Sequence, residues 1–238
     1  MNGILRYFLV PLICSFSYLF CAQNPEAQIV IIEDFITSEM AHALMQFHDS
    51  EKKDLSQHAD NQVVFSASTD FHVRYLVSWI ASRVLEVMRH HYPLSKHYEV
   101  DHCALYARLP GNSCVYHADN IAFSCPIHGR DQGQLRMTCS GECPGARFVP
   151  NHTPWREYTA LVYLNDDFEG GEILFEDGPV NKLYRRVIPI KKNMLVLTPD
   201  GSDFYHEVFQ VRSGKRYSLN FWFTSDPQYF NSVIKSSY

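Results

Sequence analysis

Apolar residues recur at helical spacing in two segments of the N-terminal half of the chain. The longer segment has Asp70 as a candidate N-cap residue and extends to about His91. The shorter segment begins after Thr37 or Ser38 and extends to about His48. The apolar stripe of the longer segment consists of Val73, Leu76, Val77, Ile80, Val84 and Met88, and that of the shorter one of Met40, Ala41, Leu44 and Met45. Both segments are therefore predicted to be helices, and the stripe of the longer one indicates packing against a sheet.

From about residue 100 the pattern changes to short apolar runs that are separated by turn signals. The predicted strands are Val100–Leu109, Cys114–Asp119 and the runs YTALVYLN, GEILFE, YRRVIPI, NMLVLTP, YHEVFQV and RYSLNFWF, with one more strand in AQIVIIEDFI near the N-terminus. Residues 50–62 are expected to form a loop, and the stretch from about 120 to Arg156 is expected to be irregular. Many short strands at near-regular spacing are typical of an antiparallel sandwich or jelly roll. The predicted fold is mainly β with flanking α-helices: a double-stranded β-helix (jelly roll) core with the N-terminal helices packed on one sheet.

Length and composition favour one domain and argue against one class of partner. The chain has 238 residues, of which 46% are hydrophobic and 14% aromatic, and this suits a single domain with a sheet-based core. We expect the domain to span residues 23–238, with supporting helices at 35–95 and the jelly-roll core at about 100–226. The net charge is −5 and no basic cluster stands out, so nucleic acid is not an expected partner.

The first 22 residues have the pattern of a secretory signal peptide. Arg6 supplies a short positive region, and the segment from Tyr7 to Ala22 carries no charge. Its 16 residues are short for a membrane span, which needs about 20. Cleavage after Ala22 is the favoured interpretation, and an uncleaved membrane anchor is the alternative. Either one predicts a protein of the secretory pathway, in the lumen of the endoplasmic reticulum, secreted or membrane-anchored.

The cysteines add a prediction about the redox environment. Cys14 and Cys21 belong to the signal segment, which leaves Cys103, Cys114, Cys125, Cys139 and Cys143. In an oxidising lumen these residues could form two disulfides with one thiol left over. The Gly- and Pro-rich stretch around the last three is predicted to be a loop pinned by a disulfide. The alternative for this stretch is a structural zinc site that His128 would complete.

Three residues form an ordered set of metal-ligand types: His117 and Asp119 in the run HADN, and His206 in the run HEV. Alternate residues of a strand face the same way, so the side chains of His117 and Asp119 are expected to point together. A jelly roll can bring the strand of His206 alongside them. Two imidazoles and one carboxylate make up the facial triad of non-haem Fe(II), which leaves positions open for substrate and oxygen. Each element alone is common by chance, and the ordered set indicates an oxygenase.

Alternation along the last predicted strand separates two kinds of side chain. One face is apolar and suits core packing: Tyr217, Leu219, Phe221 and Phe223. The other face carries Arg216, Ser218, Asn220 and Trp222. A buried arginine requires an anion, and its planar fork matches a carboxylate with two parallel hydrogen bonds. A dicarboxylate cosubstrate is therefore predicted, with one end chelating the iron and the other held by Arg216 with a contribution from Ser218.

The stretch from about Ala104 to Asp226 resembles the Fe(II)/2-oxoglutarate dioxygenases, and within them the prolyl hydroxylases. The similar runs are PGN and HADN, then YTALVYLNDDFEGGEILF, HEV and GKRYSLNFWF. HADN and YLNDDFEGGEILF look most like the collagen prolyl 3-hydroxylases, whereas PGN, HEV and RY are also similar to the hypoxia-sensing prolyl hydroxylases. A basic residue ten positions after the distal histidine also occurs in collagen prolyl 4-hydroxylases and lysyl hydroxylases, so it does not choose among these groups.

This resemblance implies a set of roles and a reaction. The implied iron ligands are His117, Asp119 and His206, and the implied 2-oxoglutarate-binding residues are Arg216, Tyr163, Ser218 and Tyr106. No catalytic residue beyond the metal ligands is implied. The implied reaction hydroxylates a protein side chain, with peptidyl-proline as the first choice of substrate and with succinate and CO₂ as products. Its cofactor would be Fe(II), its cosubstrates 2-oxoglutarate and O₂, and its reductant ascorbate.

Two other functions are compatible with the same residues. A dioxygenase of this kind could act on lysine or on a small molecule, since the substrate contacts would lie in loops such as 121–156, which have no matching pattern. A catalytically inactive jelly-roll module that binds a protein or a sugar would also keep the fold. The complete ligand set together with Arg216 argues against the inactive module.

Overall fold

A computed structural model of the chain describes residues 25–55, 61–127, 129–130, 143–177 and 184–235. The predicted signal peptide or anchor, residues 1–22, lies outside the described residues. Within the described ranges, no helix combines the length and the apolar character that a membrane span requires.

Two α-helices occur in the described residues, and both lie where helical spacing predicted them: α1 (Ser38–Glu51) and α2 (Phe71–His91). The predicted N-cap residues Thr37 and Asp70 are confirmed. The carboxylate of Asp70 accepts hydrogen bonds from two backbone N–H groups of the first turn of α2, at 2.8 and 3.2 Å. These bonds replace the acceptors that the first turn of a helix lacks, and they set the start of α2.

Replacing Asp70 by alanine is expected to lower the free energy of unfolding by about 1 kcal/mol, because two first-turn N–H groups lose their acceptor. Urea unfolding followed by circular dichroism measures this change. Glu86→Ala is the matched control, since Glu86 is an exposed carboxylate in the interior of the same helix. The control should change the free energy of unfolding by less than about 0.5 kcal/mol. Equal destabilisation by both variants would contradict a capping role for Asp70.

The strands of the described residues follow one another along most of the chain. In chain order they are β1 (Val30–Ile32), β2 (Gln62–Val64), β3 (Glu99–Arg108), β4 (Cys114–His117), β5 (Ile121–Cys125), β6 (Gly129–Arg130), β7 (Arg147–Pro150), β8 (Tyr158–Tyr163), β9 (Glu169–Gly170), β10 (Ile173–Glu176), β11 (Arg185–Ile188), β12 (Leu195–Pro199), β13 (Tyr205–Val208), β14 (Val211–Ser213) and β15 (Arg216–Thr224). Six of them form a major sheet in the order β1-β12-β8-β15-β3-β2. Four form a minor sheet in the order β11-β10-β13-β4. All pairings in the two sheets are antiparallel, which confirms the predicted mainly β fold.

An apolar core lies on either side of the major sheet. The first core joins the helices to this sheet, and it includes Leu44 of α1, Ile80 of α2 and Phe221 of β15. The second core joins the two sheets, and it includes Leu161 of β8 and Ile173 of β10. Because side chains alternate along a strand, β15 gives one face to the first core and turns the other toward the minor sheet. The functional side chains of β15 therefore lie between the two sheets.

The expectation that the chain is irregular from about residue 120 to Arg156 was wrong. This segment contains a small sheet in the order β6-β5-β7, in which β5 pairs antiparallel with β7. Phe123 of β5 is buried in a cluster with Tyr116 of β4 and Tyr205 of β13. β5 and β7 are short, and a Gly- and Pro-rich stretch separates them in the sequence. Neither has a clear strand pattern by itself, and their pairing in the structure identifies them as strands. The sequence also did not predict β2, which begins at the end of the predicted loop 50–62.

Two disulfides among the five cysteines are not formed in this structure. Cys103 and Cys114 are both free thiols. Cys103 packs in the core between the helices and the major sheet, whereas Cys114 lines a cavity on the other side of that sheet, so the two cannot meet. Cys125 and Cys143 pack in one cluster, but Cys139 and His128 lie outside the described residues. The pinned loop and its zinc alternative therefore stay predictions.

Candidate active site

The structure brings the three residues of the predicted metal set together. β4 pairs with β13, and His117 lies directly opposite His206 in this pairing. The carboxylate of Asp119 lies close to both rings, with Oδ1 3.5 Å from His117 Nε2 and Oδ2 3.8 Å from His206 Nε2. One ligand atom from each residue lies within 4.8 Å of the others. The arrangement offers two imidazoles and one carboxylate, the donor types of an Fe(II) facial triad.

Asp119 does not lie on a strand, contrary to the prediction, because β4 ends at His117. The loop after β7 holds it in place instead. The hydroxyl of Thr153 donates to the carbonyl oxygen of Asp119 at 2.7 Å, and Asn151 Nδ2 donates to the same oxygen at 3.0 Å. These two residues also form the glycosylation sequon Asn151-His152-Thr153, and here both side chains serve the turn that carries Asp119.

Backbone carbonyls orient both imidazoles. His117 Nδ1 lies 2.7 Å from the carbonyl oxygen of Val115, and His206 Nδ1 lies 3.1 Å from that of Phe204. A carbonyl can only accept, so each ring carries its proton on Nδ1 for these bonds. Nε2 of each ring then faces Asp119, and in the neutral ring its lone pair can bind a metal. An imidazole that ligates a metal through one nitrogen and donates from the other is the usual arrangement in metal sites.

The pKa values of His117, Asp119 and His206 depend on one another. Burial, aided by the neighbouring His117, lowers the pKa of His206 to about 4, so this imidazole is neutral at pH 7. Burial opposes protonation of His117 as well, but the hydrogen bond to Asp119 outweighs it and raises the pKa of His117. Although burial works the other way, hydrogen bonding to His117 and the electrostatic influence of both histidines lower the pKa of Asp119. The carboxylate is therefore ionised, as a metal ligand must be.

A threonine of the major sheet supports the metal carboxylate. Thr159 Oγ1 lies 2.8 Å from Asp119 Oδ2 and 2.7 Å from Asp200 Oδ1. A hydroxyl has one hydrogen to donate, so it can donate to one of these carboxylates while it accepts from the other. Burial and the charge of Asp119 raise the pKa of Asp200 well above its usual range. The pKa of Asp119 is lowered instead, so the hydroxyl of Thr159 is well placed to donate to the ionised carboxylate of Asp119.

Replacing Thr159 by valine is expected to weaken metal binding about 10- to 100-fold, because a ligand carboxylate loses the hydrogen bond that orients it. Valine keeps the shape of the side chain and removes only the hydroxyl. Titration with Mn(II), followed by electron paramagnetic resonance of the unbound ion, measures the affinity. Thr69→Val is a control, since Thr69 lies in the loop before α2 and its hydroxyl accepts from the backbone N–H of Ser66, away from the site. Unchanged Mn(II) affinity in the Thr159 variant would remove this residue from the site.

The predicted anion-binding arginine lies in the same cavity as the triad. Arg216 is 2% exposed and lines a cavity of about 150 Å³ together with His117, Asp119 and His206. Its guanidinium lies over the ring of Tyr163, with Cζ 4.8 Å from the ring centroid. Burial lowers the pKa of Arg216, which reflects the cost of holding this cation away from water.

The other three predicted cosubstrate residues differ in their positions. Tyr106 of β3 lines the cavity. Tyr163 of β8 is fully buried beside Arg216. Ser218 lies between them, since it is paired with Tyr106 on one side and with Tyr163 on the other. Ser218 is buried beneath the cavity and is not among the residues that line it.

Buried polar atoms indicate that the cavity suits a polar ligand. Among the described residues that line the cavity, three have a buried polar atom without a hydrogen-bond partner: Arg216 Nε, Asn220 Oδ1 and Trp222 Nε1. A buried polar group without a partner costs free energy, about 1–3 kcal/mol each, so a ligand that supplies partners would be stabilised. A cation at the triad and a dicarboxylate reaching Arg216 would satisfy both the donor set and the arginine. The residues present therefore fit Fe(II) and 2-oxoglutarate.

Sequence reasoning missed several residues that shape this site: Asn151, Thr153, Thr159, Asp200 and Arg108. Asn151 and Thr153 contact the turn of Asp119, Thr159 contacts its carboxylate, and Asp200 contacts Thr159, all from distant parts of the chain that no local pattern marks. Arg108 could have been found, because it lies two positions after Tyr106 on a predicted strand and so shares its face. It lines the cavity as Tyr106 does.

Comparison with protein families gives an independent line of support. A family model described as the 2OG-Fe(II) oxygenase superfamily matches residues 102–224, which include the triad and Arg216. Human prolyl 3-hydroxylase 2 is 39% identical over 75 residues, which are 32% of this chain and 10% of that protein. Chicken prolyl 3-hydroxylase 1 is 30% identical over 118 residues, which are 50% of this chain and 14% of that protein. The matched segments thus span only 10% and 14% of the length of these two relatives.

Solved structures with the same fold include two prolyl hydroxylases. The viral collagen prolyl hydroxylase of Paramecium bursaria Chlorella virus 1, in complex with 2-oxoglutarate, matches with a TM-score of 0.57 and 18% identity. The match covers 84% of this chain and 96% of the viral one. The Trichoplax adhaerens prolyl hydroxylase, in complex with a hypoxia-inducible factor peptide, matches with a TM-score of 0.55 and 15% identity, over 86% of this chain and 85% of that one. At these identities the matches concern the fold, and they confirm the predicted jelly roll.

Proposed function

The chain belongs to the 2OG-Fe(II) oxygenase superfamily, and we propose that it hydroxylates peptidyl-proline in a protein substrate, with Fe(II) as cofactor and 2-oxoglutarate and O₂ as cosubstrates. One observation carries this proposal. The complete His117, Asp119 and His206 donor set and the buried cation of Arg216 line one cavity. A cavity with a metal-binding end and a carboxylate-binding end matches a 2-oxo dicarboxylate.

We assign the roles of the residues from their positions in the cavity. His117, Asp119 and His206 would hold Fe(II), and Arg216 would bind the distal carboxylate of 2-oxoglutarate beside Tyr163 and Tyr106. The buried Ser218 would support this end from below. When bound, the iron supplies a reaction in which 2-oxoglutarate, O₂ and a C–H bond give succinate, CO₂ and an alcohol. Ascorbate is proposed as the reductant that keeps the iron ferrous.

The residues of the chain contribute binding and orientation to this chemistry. The hydroxyl of Thr159 orients the carboxylate of Asp119, and the carbonyls of Val115 and Phe204 orient the two imidazoles. Leu161, Ile173 and Val208 form the apolar part of the cavity wall and exclude water from it. A rigid set of ligands with an apolar wall keeps the open metal positions for the cosubstrates and the substrate C–H bond.

The choice of proline rests on the relatives. Those that match this chain in sequence are prolyl 3-hydroxylases, and two of the similar structures are prolyl hydroxylases, one of them with a bound peptide. The match covers a small part of the sequence relatives, so their substrates are extended to this chain as a proposal.

We also propose the cellular setting and the domain extent. Residues 1–22 have the pattern of a secretory signal, which supports an enzyme of the secretory pathway. Its proposed single domain spans residues 23–238. Expression of the full chain with a C-terminal tag, followed by N-terminal sequencing of the secreted or microsomal product, tests the signal. A mature N-terminus after Ala22 is expected, and a product that stays cytosolic with its first residues intact would contradict it.

The experiment that tests the function is mass spectrometry of peptides after incubation with the protein. The purified protein is supplied with Fe(II), 2-oxoglutarate and ascorbate and a panel of proline-containing peptides, with lysine-containing peptides alongside. The gain of one oxygen atom on proline, together with release of succinate, is expected. Oxygen on lysine would correct the substrate, and no 2-oxoglutarate turnover across both panels would favour the inactive binding module.

A further inference from the structure

A carboxyl group outside the triad lies close to the metal site. Asp200 follows the last residue of β12, and it lies two positions beyond Thr198, which is paired with Thr159 of β8. Because alternate residues of an extended chain face the same way, this position turns Asp200 to the face that carries Thr159. The backbone N–H of Asp200 donates to the carbonyl oxygen of Glu157 at 2.9 Å, which fixes the end of β12 against β8.

The hydroxyl of Thr159 lies between two carboxyl groups. Its Oγ1 is 2.7 Å from Asp200 Oδ1 and 2.8 Å from Asp119 Oδ2, and both distances are those of hydrogen bonds. The hydroxyl has one hydrogen, so the second bond needs a hydrogen from a carboxyl group. A carboxylate that ligates a metal is ionised. In the metal-bound protein this hydrogen therefore comes from Asp200.

Asp200 also begins the turn that leads to a second metal ligand. This turn contains Phe204, whose carbonyl oxygen lies 3.1 Å from Nδ1 of His206. One short segment thus orients His206 through its backbone and contacts the Asp119 carboxylate through Thr159. The two ligands come from distant parts of the chain, and Asp200 lies at the point where their supports meet.

We propose that Asp200 is a positioning residue of the metal site, which acts through Thr159 to fix the rotation of the Asp119 carboxylate. This inference rests on the metal site of the proposed function. A carboxylate that turns freely must be ordered when a metal binds, whereas one that is held through Oδ2 is ordered beforehand. Two neighbouring carboxylate charges repel, so Asp200 serves in this role as a neutral hydrogen-bonding group.

Metal titration of the full chain tests this role without turnover. Mn(II) is added, and electron paramagnetic resonance measures the unbound ion. Asp200→Ala is expected to weaken Mn(II) binding about 3- to 10-fold, because the hydroxyl of Thr159 loses a hydrogen-bond partner. Asp200→Leu should give a similar loss, since it fills the space of the carboxyl group without restoring the bond. Asp200→Asn should change the affinity less than about 2-fold, because a neutral amide can donate to the hydroxyl.

The matched control is Asp203→Ala, which should leave the Mn(II) affinity unchanged. Asp203 lies in the same turn, and its carboxylate contacts the neighbouring hydroxyl of Ser202 at 3.4 Å. A loss of affinity as large as that of Asp200→Ala would assign the effect to the turn as a whole and would overturn the proposal.

A double variant separates action through Thr159 from a general structural effect. In the background of Thr159→Val, Asp200→Ala is expected to weaken Mn(II) binding by less than about a further 2-fold, because the residue through which it acts is already gone. A further loss as large as in the wild-type background would overturn the proposal. So would unchanged affinity in both Asp200→Ala and Asp200→Leu, or equal weakening by Asp200→Asn. If the wild-type protein itself does not bind Mn(II), the proposed function fails together with this inference.

Discussion

Replacing His206 by alanine is expected to abolish 2-oxoglutarate decarboxylation and to leave the purified protein without iron. His206 Nε2 is one of three donor atoms within 4.8 Å of each other, and the ring is buried, so no other described side chain can take its place. Loss of an outer partner of a metal ligand costs about 10- to 100-fold in affinity, and the loss of a ligand itself exceeds this. The imidazole is neutral at pH 7 because burial, aided by His117, lowers its pKa to about 4, so it needs no deprotonation before it binds the metal.

Two measurements check this prediction. Metal content is determined by inductively coupled plasma mass spectrometry after loading with Fe(II), and succinate release is followed with 2-oxoglutarate and ascorbate. His90→Ala is the matched control, since His90 is exposed near the end of α2 and is expected to keep full iron content and activity. Succinate release at the wild-type rate by the His206 variant would refute the assignment of the triad.

Replacing Arg216 by glutamine is expected to raise the KM for 2-oxoglutarate steeply while kcat at saturation changes little. Truncating one partner of a buried charged pair costs about 2–5 kcal/mol, which corresponds to roughly 30-fold to several thousand-fold in affinity. The distal carboxylate does not react, so its binding is the same in the ground and transition states, and its loss raises KM without lowering kcat. Without a bound cosubstrate, the variant should keep the free energy of unfolding of the wild type. The substitution removes one of two guanidinium groups that face each other across β3 and β15.

Steady-state kinetics over a wide range of 2-oxoglutarate concentration measures the effect, and urea unfolding of the metal-free protein measures stability. Arg212→Gln serves as the control, because Arg212 lies four positions before Arg216, on β14, and its side chain is exposed. An unchanged KM would exclude Arg216 from cosubstrate binding. A fall in the free energy of unfolding by several kcal/mol would instead assign Arg216 a role in the fold.

β15 is the part of the site for which the sequence predicted the positions of the side chains best. Alternation along β15 predicted an apolar face and a polar face, and the structure places Leu219 and Phe221 in the core under the helices and Asn220 and Trp222 in the cavity. The prediction succeeded because the direction of a side chain on a strand depends only on its position in the strand. The caps of the two helices succeeded for the same reason, since each cap joins residues that are two or three positions apart.

The environment of Asp119 is the part that sequence described least well. The sequence correctly placed His117 and Asp119 at one metal site, but the strand ends at His117, two residues before Asp119. Asp119 reaches its position because Asn151 and Thr153 bond its carbonyl oxygen and Thr159 bonds its carboxylate. Asn151 and Thr153 lie in the loop after β7, within the segment that was expected to be irregular, and Thr159 lies on β8 of the major sheet.

The sequence by itself determined the identity of the donor groups, the faces of the strands and the starts of the helices, because these follow from residue type and from spacing within one element. Only the tertiary structure decided that His117 lies opposite His206, that Thr159 supports Asp119, and that Arg108 faces Arg216. Each of these is a contact between strands that are far apart in the chain. Such contacts depend on which strands pair and in which register, and register is set by the packing of the whole sheet, which no single segment encodes.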